Sequence, residues 1–147
     1  MIQTIIEHQV DTVENQLAKH AIAIHKFGGS SLADAACIER VVDIICQHCQ
    51  LNDVVVVSAN GNTTDQLFDL LNLANSHDDK LLFTIEELQL KQERLIEHVL
   101  KNTSADQQIA LLAEDIQQLT AWLLTAPKIH ANDILAFGEL WSARLLA

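Results

Sequence analysis

Four consecutive valines followed by a serine, Val54 to Ser58, constrain this chain more than any other stretch. A run that is β-branched at position after position reads as a strand with apolar side chains on both faces, the pattern of a sheet interior covered from both sides. The segment AIAIHKF, Ala21 to Phe27, reads as a second strand. Because strand side chains alternate, Ile22, Ile24 and Lys26 share one face and Lys26 emerges at the carboxyl end. Between the two runs lies a helical pattern. Its apolar stripe is Ile38, Val41, Val42, Ile45 and Cys49, and Ser31 with Asp34 is spaced as a capping box for a start near Leu32. Strand, helix and strand in that order make a right-handed parallel βαβ unit.

After the second strand the spacing predicts only helices. Thr63 and Gln66 open one that reaches about Asn75, Thr84 and Glu87 one to Leu100, Ser104 and Gln107 one to Leu124, and a last one runs from about Asn132. A leading helix from about Ile2 to Lys19 precedes the first strand, and Pro127, the only proline, can end the helix before it. Two strands are too few for a doubly wound sheet, which needs about four or more. The final GELWSARLLA stops inside an amphipathic helix without a C-cap signal. The expectation is an α/β chain, a parallel βαβ start followed by mainly helical segments, in which residues 1–147 form one incomplete domain of a larger protein and no second domain is present.

Nine basic residues stand against 20 acidic ones, a formal net charge of -11, which argues against general affinity for nucleic acid or an anionic membrane surface. An anionic ligand would need a local site. The N-terminus lacks a basic region followed by an apolar stretch and a cleavage site, and no apolar run is long enough to span a bilayer, so the expected address is the cytoplasm. Cys37, Cys46 and Cys49 crowd into one predicted helix and are expected as reduced thiols. Cys46-Gln47-His48-Cys49 has the spacing of a redox or half-zinc motif, but no second ligand pair follows it. The seven histidines show no metal-ligand spacing, and no structural metal is expected.

The chemistry should gather beyond the carboxyl ends of the strands, where open α/β sheets bind ligands. Gly28 and Gly29 let backbone amides approach an anion without a Cβ in the way, the following helix start adds its positive dipole end, and Lys26 adds a full charge. This describes a phosphate site, although a tight turn beside an exposed lysine explains the same residues. It is not a P-loop, whose lysine follows its glycines. In the second loop Ser58, Thr63 and Thr64 offer hydroxyls that are either helix caps or ligand contacts. Gly138 and Glu139 interrupt an apolar helical pattern: the glycine suggests close approach of another group. The carboxylate is a solvated residue, a partner for Arg144, or a functional group. Trp122 and Trp141 read as core or interface residues.

Taken together, HKFGGSS, VVVVSANGNTTDQL and FGELWSARLL, in that order, resemble the N-terminal portion of an aspartate kinase of the amino-acid kinase fold. The resemblance runs from about Ala21 to the end. HKFGGSSLAD, TTDQL and GELWSARL are most similar to the kinase part of the bacterial type II bifunctional aspartokinase/homoserine dehydrogenases. It implies a three-layer sandwich. It also implies transfer of the ATP γ-phosphoryl group, with Mg²⁺, to the side-chain carboxylate of L-aspartate, the first step toward lysine, threonine and methionine. Lys26 then matches the lysine on the transferring phosphates, Gly28, Gly29 and Ser30 the loop that lines them, and Ser58, Thr64 and Glu139 the positions that bind aspartate.

Two departures stand out: Ser30 where the family commonly has threonine, and Asp65 where it has asparagine. The first keeps the hydroxyl, and the second adds negative charge near an anionic substrate. The family's segments for adenine nucleotide and Mg²⁺, its regulatory domains and any dehydrogenase domain are not in these residues. No turnover and no bound cofactor are therefore expected of this chain alone, and its uncovered apolar faces predict a homo-oligomer. The alternatives are a non-catalytic phosphate-binding or oligomerisation module, and a glutamate or acetylglutamate kinase. Phe27-Gly28-Gly29-Ser30 together with Gly138-Glu139 speaks against the latter.

Overall fold

The computed structural model describes residues 22–100, 103–125 and 130–147. The expected leading helix from Ile2 to Lys19 and the expected helix stop at Pro127 lie outside the described residues. Among the described residues strand β1 is Ile24–Phe27 and β2 is Val54–Val57, and five helices accompany them: α1 Ala35–His48, α2 Thr63–Asn75, α3 Leu81–Val99, α4 Thr103–Thr125 and α5 Ala131–Leu146. A 3-10 turn, Gly29–Leu32, stands between β1 and α1.

The two strands pair in parallel, with Ile24 opposite Val54 and Phe27 opposite Val57, so the βαβ start is as expected. The cover on the valine run is not. Among the described residues the sheet has these two strands alone, and Val54, Val55 and Val56 are 46%, 36% and 41% exposed while Ile24 is 71% exposed. The run reported the strand correctly and overstated its burial, because cover depends on elements that pack against a strand and not on the strand's own composition.

Asp53, just before β2, fastens the start of both strands. Its carboxylate accepts the N–H of Ala23 at 3.0 Å and of Gln50 at 2.8 Å and meets His25 Nε2 at 3.1 Å. The backbone N–H groups of Gln50 and Ala23, and then the His25 side chain, hold this carboxyl below the usual carboxylate range.

The helix starts differ from the box-spaced expectation. α1 begins at Ala35, and Asp34 is its N-cap rather than the third residue of a box, accepting the Cys37 N–H at 2.8 Å. Ser31 instead closes the 3-10 turn, its N–H donating to Gly28 O at 2.9 Å. Thr84 lies one turn inside α3 and returns its hydroxyl to Lys80 O at 3.0 Å, and α4 starts at Thr103, ahead of Ser104. A hydroxyl or carboxylate three residues before a Glu or Gln is common within helices too, and that is why the spacing misplaced these ends by a few residues.

The core is helical. α3 packs on α4, α2 on α5, and α1 on α3, with α5 also reaching β2. Leu67, Leu70, Leu88, Leu119 and Ile134 are sealed at its centre, each such side chain contributing about 1.5–3 kcal/mol by leaving water. Phe137 lies between Trp122 and Trp141, with ring centroids 5.7 and 6.0 Å away, so both tryptophans serve packing as expected. Trp141 Nε1 donates to buried Asp115 at 3.0 Å, and Arg144 pairs with the same carboxylate. Of the readings left open for Glu139, the pairing with Arg144 is not made, since Arg144 pairs with Asp115 from α4. No helix of the described residues is long and apolar enough to cross a membrane.

Candidate functional site

Three segments meet at the carboxyl end of the two strands. Lys26, exposed, is the penultimate residue of β1. Gly28 then continues in extended conformation (φ -81°, ψ 168°) into the 3-10 turn, whose Leu32 is buried in the core. Beside it, Ser58 N–H donates to Phe27 O at 3.1 Å, prolonging the parallel pairing by one residue, and Gly61 N–H donates to Gly29 O at 3.0 Å. The two loops are thus joined backbone to backbone.

The glycines have separate reasons. A Cβ on Gly29 would stand 2.8 Å from Ala59 O and 3.3 Å from Gly61 O, both backbone atoms of the second loop, so the junction requires a residue without a side chain. Gly61 has φ +51°, the left-handed region that glycine adopts without strain. A Cβ on Gly28 would meet nothing within 4 Å. Gly28 therefore faces open space at the end of the strand, where a ligand could come close to the backbone.

The third segment is α5. A Cβ on Gly138 would lie 2.8 Å from Ala59 Cβ and 3.3 Å from both Leu67 Cδ1 and Thr63 Cγ2, so α5 sits directly against the second loop and the first turns of α2. The close approach expected at Gly138 is present. The next residue, Glu139, is exposed rather than buried. A carboxylate in this apolar helix is tolerated because Gly138, and not Glu139, occupies the contact.

Of the residues singled out, Lys26 lies at the end of β1, Gly28, Gly29 and Ser30 in the turn that follows it, Ser58 just past β2, Thr64 in the first turn of α2, and Glu139 on the helix packed against the second loop. Ser30 and Thr64 are exposed, and Ser58 is half-buried. Thr63 differs from its neighbour. It is fully buried, and its hydroxyl donates to Asn60 Oδ1 instead of capping α2.

Sequence reasoning missed what holds the second loop in place. Asn60, Thr63 and Gln92 are all buried and bonded to one another: Asn60 Nδ2 donates to Gln92 Oε1 at 2.9 Å, and Gln92 Nε2 donates to Thr63 Oγ1 at 2.9 Å and to Asn60 Oδ1 at 3.2 Å. A signal existed. Gln92 falls on the α3 stripe Ile85, Leu88, Gln92, Ile96, where a lone polar residue among apolar ones needs a buried partner. Next to it, Lys91 Nζ donates to Asn62 Oδ1 at 2.6 Å and also to Gln66, and burial pushes this amine below the usual lysine range. α3 thereby fixes the loop through both its buried and its half-buried sides.

The arrangement supplies one cation, an open glycine backbone, three hydroxyls and a carboxylate around one strand edge. It can balance a phosphate at the first loop and a zwitterionic small molecule at the second.

Comparison with known proteins bears on the family and the fold. The amino acid kinase family matches residues 21–146. Bifunctional aspartokinase/homoserine dehydrogenase 2 of Escherichia coli (strain K12) is 37% identical over 126 residues, 84% of this chain and 15% of that protein. Two crystal structures of E. coli aspartokinase III share the fold. The complex with lysine and aspartate superposes with a TM-score of 0.70 at 22% identity, and the complex with aspartate and ADP with 0.67 at 26%. They cover 85% and 86% of this chain, which spans 28% of each of those chains. The sandwich start and the kinase resemblance expected from the three segments are thus both present, and the chain belongs to the amino acid kinase family.

Proposed function

We propose that this chain is the phosphate-loop and aspartate-binding portion of an aspartokinase, whose whole enzyme transfers the γ-phosphoryl group of ATP to the side-chain carboxylate of L-aspartate. The observation that carries the reading is the junction of the Gly28–Ser31 turn with the Ala59–Gly61 turn, with Gly138 seated on Ala59. It draws toward one edge the three segments that would have to act together. The E. coli aspartokinase III solved with aspartate and ADP supports it by fold and by what it holds.

In this reading a carboxylate oxygen of aspartate attacks the γ-phosphorus, the bond to the β-phosphate oxygen breaks, and ADP leaves. Little covalent work falls to the protein, so positioning and charge balance dominate. Lys26 balances the charge of the phosphoryl group in flight, and the open backbone at Gly28, with Gly29 and Ser30, lets the phosphates approach closely. Ser58 and Thr64 donate their hydroxyls to the amino acid, and exposed Glu139 accepts its α-ammonium group. Mg²⁺ would travel with the phosphates of ATP. None of these seven residues is assigned to it. The chain by itself does not turn over in this reading, and the whole enzyme is a cytoplasmic homo-oligomer.

The test is a chimera in which this chain replaces the matching segment of the bifunctional E. coli relative, assayed for ATP-dependent aspartyl hydroxamate. Retained homoserine dehydrogenase activity reports that the chimera has folded. Kinase activity that Lys26→Ala abolishes is expected. A chimera with dehydrogenase but no kinase activity overturns the function, and kinase activity indifferent to Lys26→Ala overturns the role given to the loop. A non-catalytic module would give dehydrogenase without kinase activity.

A further inference from the structure

At the opposite end of the strands from the phosphate loop, three side chains from separate segments converge: His25 of β1, Cys49 just past α1 and Asp53 just before β2. One ligand atom from each lies within 4.8 Å of the other two. We propose that this cluster is a binding site for a divalent, borderline-soft cation of the zinc class, fastening the end of α1 to the start of both strands.

The ligand set is of the right kind. Imidazole nitrogen, thiolate sulfur and carboxylate oxygen are the three donors zinc takes, with ligand bonds of about 2.0–2.3 Å. In a tetrahedron those bonds leave donors roughly 3.3–3.6 Å apart. His25 Nε2 and Asp53 Oδ2 already stand 3.1 Å apart, and Cys49 Sγ needs to close by about 1 Å from the 4.8 Å limit. A shift of that size is within the reach of a side-chain rotation. Three protein ligands leave the fourth position to water.

The carboxylate is oriented in advance. The Asp53 side chain is only 6% exposed, and the backbone N–H groups of Ala23 and Gln50 hold its two oxygens from behind. These bonds survive when a cation takes the remaining lone pair of Oδ2, and they play the part that second-layer donors play around metal carboxylates. His25 exchanges its contact with Asp53 for the cation and binds as neutral imidazole, with its proton on Nδ1. Cys49 binds as thiolate and gives its proton to solvent. The spacing of the Cys46–Cys49 motif could not reveal the site. Its other ligands come from 24 residues before Cys49 and 4 after it, and only the fold brings them together.

The experiment titrates Zn²⁺ and, as a spectroscopic probe, Co²⁺ into the 147-residue chain under reducing conditions. One cation per chain is expected, with a thiolate-to-cobalt charge-transfer band, visible bands of tetrahedral intensity and a raised melting temperature. Cys49→Ser, at a half-buried position past the helix, should lower affinity by about tenfold or more and abolish the charge-transfer band. His25→Ala should lower affinity likewise, and Cys46→Ser should change neither. Binding that survives both Cys49→Ser and His25→Ala, or a cobalt spectrum without a thiolate band, places the metal elsewhere and overturns the proposal. So does the absence of any binding by the unaltered chain.

Discussion

Replacing Gln92 tests whether the buried amide network, rather than the loop backbone alone, holds the second loop. Gln92→Leu keeps the side-chain volume and the helix propensity, so the cavity contribution is small. Asn60 Oδ1 still accepts from Thr63, and the Thr63 hydroxyl keeps that acceptor. Asn60 Nδ2, 2.9 Å from Gln92 Oε1 in a residue 3% exposed, is the group left without a partner. A buried donor stranded in this way costs about 1–3 kcal/mol. With a urea dependence of about 2 kcal/mol per molar, a loss of about 2 kcal/mol moves the unfolding midpoint down by about 1 M. Gln92→Ala adds a cavity and should cost about 1 kcal/mol more. The decisive measurement is the double-mutant cycle of Gln92→Leu with Asn60→Ala, followed by circular dichroism in urea. A coupling of about 1–2 kcal/mol is expected. A Gln92→Leu midpoint within about 0.2 M of the parent, together with additive effects in the cycle, would show that the three buried amide and hydroxyl groups do not act as a unit and refute the reasoning.

The glycines of the first loop should separate stability from binding. Gly29→Ala, whose Cβ would stand 2.8 Å from Ala59 O, should cost about 1–3 kcal/mol in urea unfolding by forcing the two loops apart. Gly28→Ala, with nothing within 4 Å, should leave stability within about 0.5 kcal/mol but lower the kinase activity of the chimera by crowding the phosphates. Asp115→Ala should destabilise by about 3 kcal/mol, because it strands the Trp141 N–H and the Arg144 guanidinium together, and tryptophan fluorescence reports it directly. Asp34, whose carboxyl is held below its ordinary value of 3.8 by the Cys37 N–H, contributes stability that is present above that value and lost as pH falls through the lower folded value. Helix content followed from pH 5 downward should therefore fall less steeply in Asp34→Asn than in the parent.

The elements were legible because each carried a short-range signal. β1, β2 and all five described helices stand where strand alternation, the β-branched run, the apolar stripe of α1 and the helix-start spacings placed them, with ends off by a few residues. What failed was whatever depends on neighbours. The valine run cannot report whether anything covers it, and Val54 to Val56 remain 46%, 36% and 41% exposed in a two-stranded sheet. Capping boxes fared no better: the Thr63 and Thr84 hydroxyls donate to Asn60 and Lys80 instead of accepting from a helix start, and Ser31 sits in a 3-10 turn ahead of α1.

The site divides along the same line. Residues that would touch a ligand were readable because they violate local rules: a lysine before two glycines, and a glycine followed by a carboxylate in an apolar helix. Residues that hold those groups in place obey local rules and were passed over. Asn60 looks like any turn residue and Gln92 like any polar position on a long helix, yet they bond across 32 residues of sequence. Gly138 connects the two kinds. Its cost to the helix, about 1 kcal/mol relative to alanine, is visible in the sequence, but its reason is the 2.8 Å that a Cβ would leave to Ala59. Gly138→Ala regains that propensity and forces Ala59, Thr63 and Leu67 to give way together, so a net loss of about 1–2 kcal/mol is expected. The same substitution shifts the second loop against α5, so in the chimera the KM for aspartate should rise more than the KM for ATP. Equal changes in the two would mean that the packing of α5 on Ala59 serves stability alone.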